Sequence, residues 1–164
     1  MTGSKFCSVM TRQTGEPLAG TAPFAKHFVF ITWPKKYWQY EALKSKGGFP
    51  DGLKEWMNTQ SKISGKISIR LVSSKELTNE SADIYIYPEK IYYSNILPEE
   101  ILGVLMSHFL KKSNSEYIAK SVERDHILVC THGRHDKCCA KFGKELADNL
   151  RNHLKDQEEN IKLF

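Results

Sequence analysis

Three of the four cysteines of this 164-residue chain lie within ten residues of one another. They are Cys130, Cys138 and Cys139, and the segment between them contains His132 and His135. Thiolate sulfur is both a soft metal ligand and a nucleophile, and imidazole is a common metal ligand. A cluster of this composition therefore predicts either a metal site or a redox site.

The cysteine cluster lies between a predicted strand and a predicted helix. An apolar run at 126–129 is typical of a strand, with Asp136 as the candidate N-cap of the helix. Apolar residues then recur at helical spacing, at Phe142, Leu146, Leu150 and Leu154. Since the start of a helix favours negative charge, we expect Cys138 and Cys139 to lose their protons more easily than free thiols.

The two histidines of the cluster leave two interpretations open. With Cys130 and either Cys138 or Cys139, His132 and His135 would complete four ligands for zinc or iron within one loop. Tetrahedral sites normally draw their ligands from two separated elements, which counts against this arrangement. Alternatively, the histidines orient the loop and donate hydrogen bonds around a metal site. A further possibility is that the thiols are packed as small apolar side chains.

Composition and charge narrow the class of protein. A length of 164 residues with 40% hydrophobic residues is typical of about one globular domain. The net charge of +5 comes from lysines spread along the chain, so we expect no nucleic-acid partner. The longest apolar run, at 101–106, is too short to span a membrane, and clustered cysteines without a leader peptide indicate a reducing compartment. These features predict a cytoplasmic protein.

The first two thirds of the chain are predicted to contain both strands and helices. Residues 1–25 are expected to form an irregular N-terminal arm, followed by an α/β unit over 26–112. The patterns predict strands at 28–33, 66–73, 82–87 and 90–94, the last two forming a hairpin. They predict helices at 37–46, about 52–61 and 97–110. This order is close to a thioredoxin-like one, so the predicted fold class is α/β with a thioredoxin-like mixed sheet and flanking helices.

The added C-terminal unit, residues 126–156, is predicted to form a strand, the cysteine-bearing loop and a helix. One strand and one helix cannot bury their own apolar faces. Either the strand adds to the preceding sheet and the helix covers it, or this unit begins a second domain. The sequence leaves both arrangements open.

Two separated segments resemble the sucrase/ferredoxin-like family, the thioredoxin-like [2Fe–2S] ferredoxins. The first is G-E-P-L-A-G-T-A-P at 15–23, followed by the strand at 28–33 and the turn W-P-K-K-Y-W at 33–38. The second is C-T-H-G-R-H-D-K-C-C-A-K-F-G at 130–143. The resemblance covers nearly all of this chain but only the front part of the family's length.

The resemblance implies one-electron transfer through a [2Fe–2S] cluster, with a reductase or an electron acceptor as partner. In the family, two cysteines separated by eight residues and two histidines of a later His-x-Gly-Gly-His segment hold the cluster. The cysteine pair corresponds to Cys130 and Cys139, and no His-x-Gly-Gly-His occurs in this sequence. The surrounding loop residues would support the site, at His132, Arg134, His135, Asp136 and Cys138.

Two other functions compete with electron transfer. In thiol–disulfide exchange, Cys138 or Cys139 would be the attacking thiolate, although the usual Cys-x-x-Cys spacing is absent and an adjacent pair closes only a strained ring. Alternatively, the chain is a family member that binds no metal and acts as a non-catalytic module. We expect no sugar hydrolysis, because no pair of carboxylates is evident for acid and base roles.

Overall fold

The computed structural model describes residues 6–15, 24–73, 81–111, 117–134 and 136–164. Within these ranges it contains four α-helices: α1 (Cys7–Thr14), α2 (Leu53–Ser64), α3 (Ile101–Phe109) and α4 (Lys144–His153). It also contains seven strands: β1 (His27–Thr32), β2 (Ile67–Val72), β3 (Ala82–Tyr87), β4 (Ile91–Ile96), β5 (Lys120–Ser121), β6 (Asp125–Ile127) and β7 (Ile161–Leu163).

Five of the strands form a mixed sheet in the order β2-β1-β3-β4-β5. Strands β1 and β2 are parallel and are connected by helix α2, whereas β3, β4 and β5 pair antiparallel with their neighbours. A β-α-β unit followed by a β-hairpin and helix α3 is the thioredoxin-like order of elements. The predicted α/β fold class and the predicted hairpin are therefore confirmed.

The first face of the sheet carries the main hydrophobic core. Strand residues alternate in direction, so Val29 and Ile31 of β1 point to the same face as Ile84 and Ile86 of β3. Helices α2 and α3 cover this face with fully buried side chains, among them Leu53, Ile101, Val104 and Leu105. Burying each such side chain contributes about 1.5–3 kcal/mol.

The second face of the sheet is aromatic, and the C-terminal unit packs against it. Strands β6 and β7 pair in parallel as a separate two-stranded sheet. Phe164, directly after β7, is buried against Val72 and Tyr85, with its ring centroid 5.4 Å from that of Tyr85. The predicted strand of this unit therefore does not form backbone hydrogen bonds with the main sheet. The unit contacts that sheet through side chains.

Residues 37–46, expected to be a helix, form two short 3₁₀ turns instead, at Lys35–Tyr37 and Ala42–Lys44. Two indole groups hold this segment by hydrogen bonds to backbone carbonyls. The Nε1 of Trp33 donates to the carbonyl of Lys46 at 2.9 Å, and the Nε1 of Trp38 donates to the carbonyl of Trp33 at 2.8 Å. These bonds bend the chain around the tryptophans, so a continuous helix does not form.

The sequence also missed three short elements. The N-terminal arm, expected to be irregular, contains helix α1, which ends at Gly15 in the left-handed conformation. Strands β5 and β7 were not predicted, since two or three residues are too few to show an alternating pattern.

The helix that carries Cys138 and Cys139 begins at Lys137, contains a π-helical turn at Cys139–Gly143 and continues as α4. A π turn contains one extra residue, which rotates the following apolar positions away from the face that α-helical spacing predicts. Phe142, within this turn, is 38% exposed, and Leu146, after it, is 51% exposed, whereas Ala147 is 5% exposed. The face of the helix that is buried is therefore not the predicted one with Phe142 and Leu146, but one that includes Ala147.

Candidate metal centre

The cysteine loop, residues 130–139, begins on backbone that strand β7 holds in place. The amide of Phe164 donates to the carbonyl of Ile127 at 3.0 Å, and the amide of Val129 donates to the carbonyl of Phe164 at 3.1 Å. These bonds extend the pairing of β6 and β7 to the residue before Cys130. The backbone that leads into Cys130 is therefore held in place by the C-terminal residues.

Asp136 forms the other end of the cysteine loop. Its carboxylate accepts a hydrogen bond from the amide of Cys138 at 2.8 Å, and its carbonyl accepts one from the amide of Cys139 at 3.1 Å. The prediction that Asp136 is the N-cap of the helix is confirmed. The π-helical turn that starts at Cys139 is a feature found frequently at functional sites.

Two glycines allow the ends of the loop to approach each other. The backbone of Gly143 lies against the carbonyl of Cys130, and a β-carbon at position 143 would overlap that oxygen. Gly133 faces Ala140 in the same way, because a β-carbon at position 133 would lie 2.5 Å from the β-carbon of Ala140. Only residues without a side chain permit this close packing.

The thiols of Cys130 and Cys139 lie next to each other. Cys130 is exposed, Cys139 is half-buried and Cys138 is buried. Burial and the contact with Cys130 raise the pKa of Cys139 to about 12. The expectation that Cys139 loses its proton easily is therefore wrong, since these effects outweigh the favourable end of the helix.

The turn at 33–38 forms hydrogen bonds with the cysteine loop. The Nζ of Lys35 donates to the hydroxyl of Thr131 at 2.6 Å, and the Nη1 of Arg134 donates to the carbonyl of Trp38 at 2.6 Å. The ring of His132 lies edge-on to the ring of Trp38, with centroids 5.3 Å apart. No role was predicted for Lys35 or Trp38, and their place in the first resembling segment was the only signal in the sequence.

The sequence model of the sucrase/ferredoxin-like family matches residues 18–164. This chain belongs to the sucrase/ferredoxin-like family. No curated protein matches it.

This family member also resembles two solved structures, but more distantly. Two cysteine-to-serine variants of the thioredoxin-like [2Fe–2S] ferredoxin from Aquifex aeolicus are 17% and 18% identical to it, with TM-scores of 0.38 and 0.37. Each match covers 57% of this chain and 99% of the other. Across the described residues, no helix is long and apolar enough to cross a membrane.

The structure brings together most of the predicted site residues of this family member. Cys130, Cys138 and Cys139 lie on the loop with His132, Arg134 and Asp136, whereas His135 lies outside the described residues. Among the residues that the structure describes, no three His, Cys, Asp or Glu side chains are placed to hold a metal ion together. A [2Fe–2S] cluster usually takes four protein ligands. The neighbouring thiols of Cys130 and Cys139 are suitable for two of these four ligands.

Proposed function

We propose that this protein transfers single electrons through a [2Fe–2S] cluster held on one side by Cys130 and Cys139. The observation that supports this proposal is the contact between these two thiols, the pair that corresponds to the family's cysteine ligands. Thiolates are the protein ligands that such clusters usually take. The protein would have no substrate of its own, and its partner would be a reductase or an electron acceptor.

The residues of the chain would bind and position the cluster, which supplies the one-electron chemistry. Cys130 and Cys139 would bind as thiolates, so the proton of Cys139 must leave when the metal binds. Asp136 keeps the Cys138 and Cys139 amides in place, and Lys35 and Arg134 fix the loop against the 33–38 turn. A loop held at several points loses little conformational freedom on binding.

We infer that the other two ligands come from outside the described residues of this chain. This inference follows from the two-thiol donor set and from the absence of His-x-Gly-Gly-His in the sequence. The ratio of iron to chain, measured together with the oligomeric state, tests it. Two irons per two chains would indicate a cluster shared between subunits, and two irons per chain would indicate ligands from one chain.

The decisive test is the iron and acid-labile sulfide content of anaerobically purified protein, with its visible absorption spectrum. We expect equal amounts of iron and sulfide in the wild type and their loss in the Cys130→Ser, Cys139→Ser double variant. Cys138→Ser is the matched control, because it removes a thiol from the same loop and should keep the iron. Protein that stays iron-free after reconstitution, or iron that survives the double variant, would contradict the proposal.

Thiol–disulfide redox chemistry is a second candidate function, because the contact between Cys130 and Cys139 would also allow a disulfide. Two thiols would give up two protons and two electrons to a partner disulfide, which would be reduced to two thiols. The raised pKa of Cys139 counts against it as the attacking group. If the protein is iron-free, its titration with oxidised and reduced glutathione should show a two-hydrogen mass loss, abolished by Cys139→Ser.

We also infer that the protein works in the cytoplasm. Cys130, Cys138 and Cys139 are free thiols in the structure, and free thiols persist in a reducing compartment. Fractionation of cells that express the protein with a fluorescent tag would test this inference. Recovery in an oxidising compartment would contradict it.

A further inference from the structure

Positive charge gathers on one side of the cysteine pair. The ammonium of Lys35 donates to the hydroxyl of Thr131, the residue after Cys130, and lies 5.9 Å from the ring centroid of Trp38. This places a cation within one residue of the exposed sulfur. These two contacts hold the side chain of Lys35 in that position.

Helix α4 adds two more cations to the same region. Lys144, Asp148 and Arg151 lie on one face of α4, because they are four and three residues apart. Burial lowers the pKa of Lys35, and the charges of Arg151 and Lys144 lower it further, whereas Asp148 opposes them. Asp148 is already paired with Arg151 at 2.8 Å. We call Lys35, Lys144 and Arg151 the cationic face, which holds three positive charges against one carboxylate.

An apolar cavity of about 280 Å³ opens beside the cationic face. Its walls include Cys130 itself, and its rim carries Lys35 and Arg70. The apolar lining includes Leu71 and Val72 at the end of β2, Leu128 and Val129 between β6 and the cysteine loop, and Phe164 after β7. Leu128 is 43% exposed there. The cavity can accept an apolar side chain next to Cys130.

We propose that the cationic face and this cavity dock a partner protein whose contact surface presents carboxylates around an apolar side chain. Opposite charge steers association and orients the partner, and an apolar centre within a polar rim is the usual arrangement of a protein interface. The partner would then lie directly against Cys130. Its role as an electron donor or acceptor rests on the proposed function, whereas the docking itself does not.

The test uses the full chain labelled with ¹⁵N and a synthetic peptide rich in aspartate and glutamate with a central leucine. We expect chemical-shift changes at the residues that line the cavity, and a Kd that rises about tenfold between 50 and 200 mM salt. Replacing the central leucine by serine should weaken binding at least threefold. A basic peptide of the same length should cause no shifts at these residues.

Charge-reversal variants identify the surface. Lys144→Glu with Arg151→Glu should weaken peptide binding at least fivefold. Lys62→Glu with Lys66→Glu makes the same change in net charge at exposed positions near the start of β2, and should change binding less than twofold. Equal weakening by both double variants would overturn the proposal, because it would show attraction to overall charge alone.

Two further outcomes would also decide the question. If free glutamate or phosphate causes the same shifts in the cavity at similar concentrations, the site takes a small anion and the docking proposal fails. Because the peptide experiment requires no iron, it is independent of the electron-carrier proposal. If iron-free protein binds the peptide, the docking proposal holds and the electron-carrier proposal fails. If iron-loaded protein does not bind the peptide, the docking proposal fails and the electron-carrier proposal holds.

Discussion

The carbonyl oxygen of Cys130 lies so close to Gly143 that a β-carbon at position 143 would overlap it. This contact brings the start of the cysteine loop onto the π-helical turn that carries Cys139. The approach of the two sulfurs therefore depends on a residue outside the proposed ligand pair. Gly143 has ordinary helical dihedral angles, so the constraint is one of space and not of backbone conformation.

The variant Gly143→Ala should separate Cys130 from Cys139 and weaken iron binding. Forcing a methyl group against backbone costs about 1–3 kcal/mol of the free energy of unfolding. Gly103→Ala is the matched control, since a β-carbon there meets only the Tyr117 hydroxyl at 3.6 Å, and it should stabilise helix α3 by about 0.5–1 kcal/mol. Urea denaturation and iron content measure both variants. Full iron content and wild-type stability in Gly143→Ala would contradict the role assigned to this contact.

Asp136→Ala should destabilise the start of the helix that carries Cys138 and Cys139. It removes the carboxylate that accepts the Cys138 amide, and the loss of such a cap costs about 1 kcal/mol. Asp136→Asn keeps an oxygen acceptor and should cost less. Thermal unfolding followed by circular dichroism distinguishes the two variants. Equal losses in both would mean that the charge of Asp136, and not its hydrogen bond, is what matters.

Phe164→Ala should loosen the C-terminal unit from the second face of the main sheet. The ring of Phe164 is 9% exposed and packs on Tyr85 and His126, so its removal should cost about 3 kcal/mol. Amide hydrogen exchange should accelerate in β6 and β7 more than in β1 and β3. Phe24→Ala, at a site that is 79% exposed, is the control and should change stability by less than about 0.5 kcal/mol.

Stability should fall as the pH is lowered from about 6.5 to about 4. Burial, followed by the positive charge of Lys162, lowers the pKa of His126 to about 4. The unfolded chain therefore binds a proton at a higher pH than the folded protein, and acidification favours unfolding across this interval. Because His126 is only half-buried, we expect a screened effect on the order of 1 kcal/mol.

The control for this pH dependence replaces His126 by a residue that does not titrate. In His126→Gln, the slope of the unfolding free energy between pH 6.5 and 4 should be flatter than in the wild type. Urea denaturation at a series of pH values gives both slopes. An unchanged slope in His126→Gln would show that other groups cause the dependence.

The main sheet could be predicted from sequence because its strands are long enough to show a pattern. Ile84 and Ile86 alternate with Tyr85 and Tyr87 along β3, and the hairpin to β4 follows from a short turn. The proximity of Cys130 to Cys139 was implied only by the family resemblance. The bond from Lys35 to Thr131 joins positions 96 residues apart, and no local pattern encodes such a contact. The raised pKa of Cys139 likewise depends on burial that only the folded chain reveals.

The pairing of β6 with β7 has a consequence for the order of folding. The cysteine loop and helix α4 both lie between these two strands, so the backbone before Cys130 is anchored on Phe164 only when 161–163 dock on 125–127. Contacts between distant positions form more slowly than a local hairpin such as β3 and β4, because more chain entropy is lost first. This anchor should therefore form later than the β3–β4 hairpin. Until then the segment that leads into Cys130 would lack its attachment to the C-terminal residues.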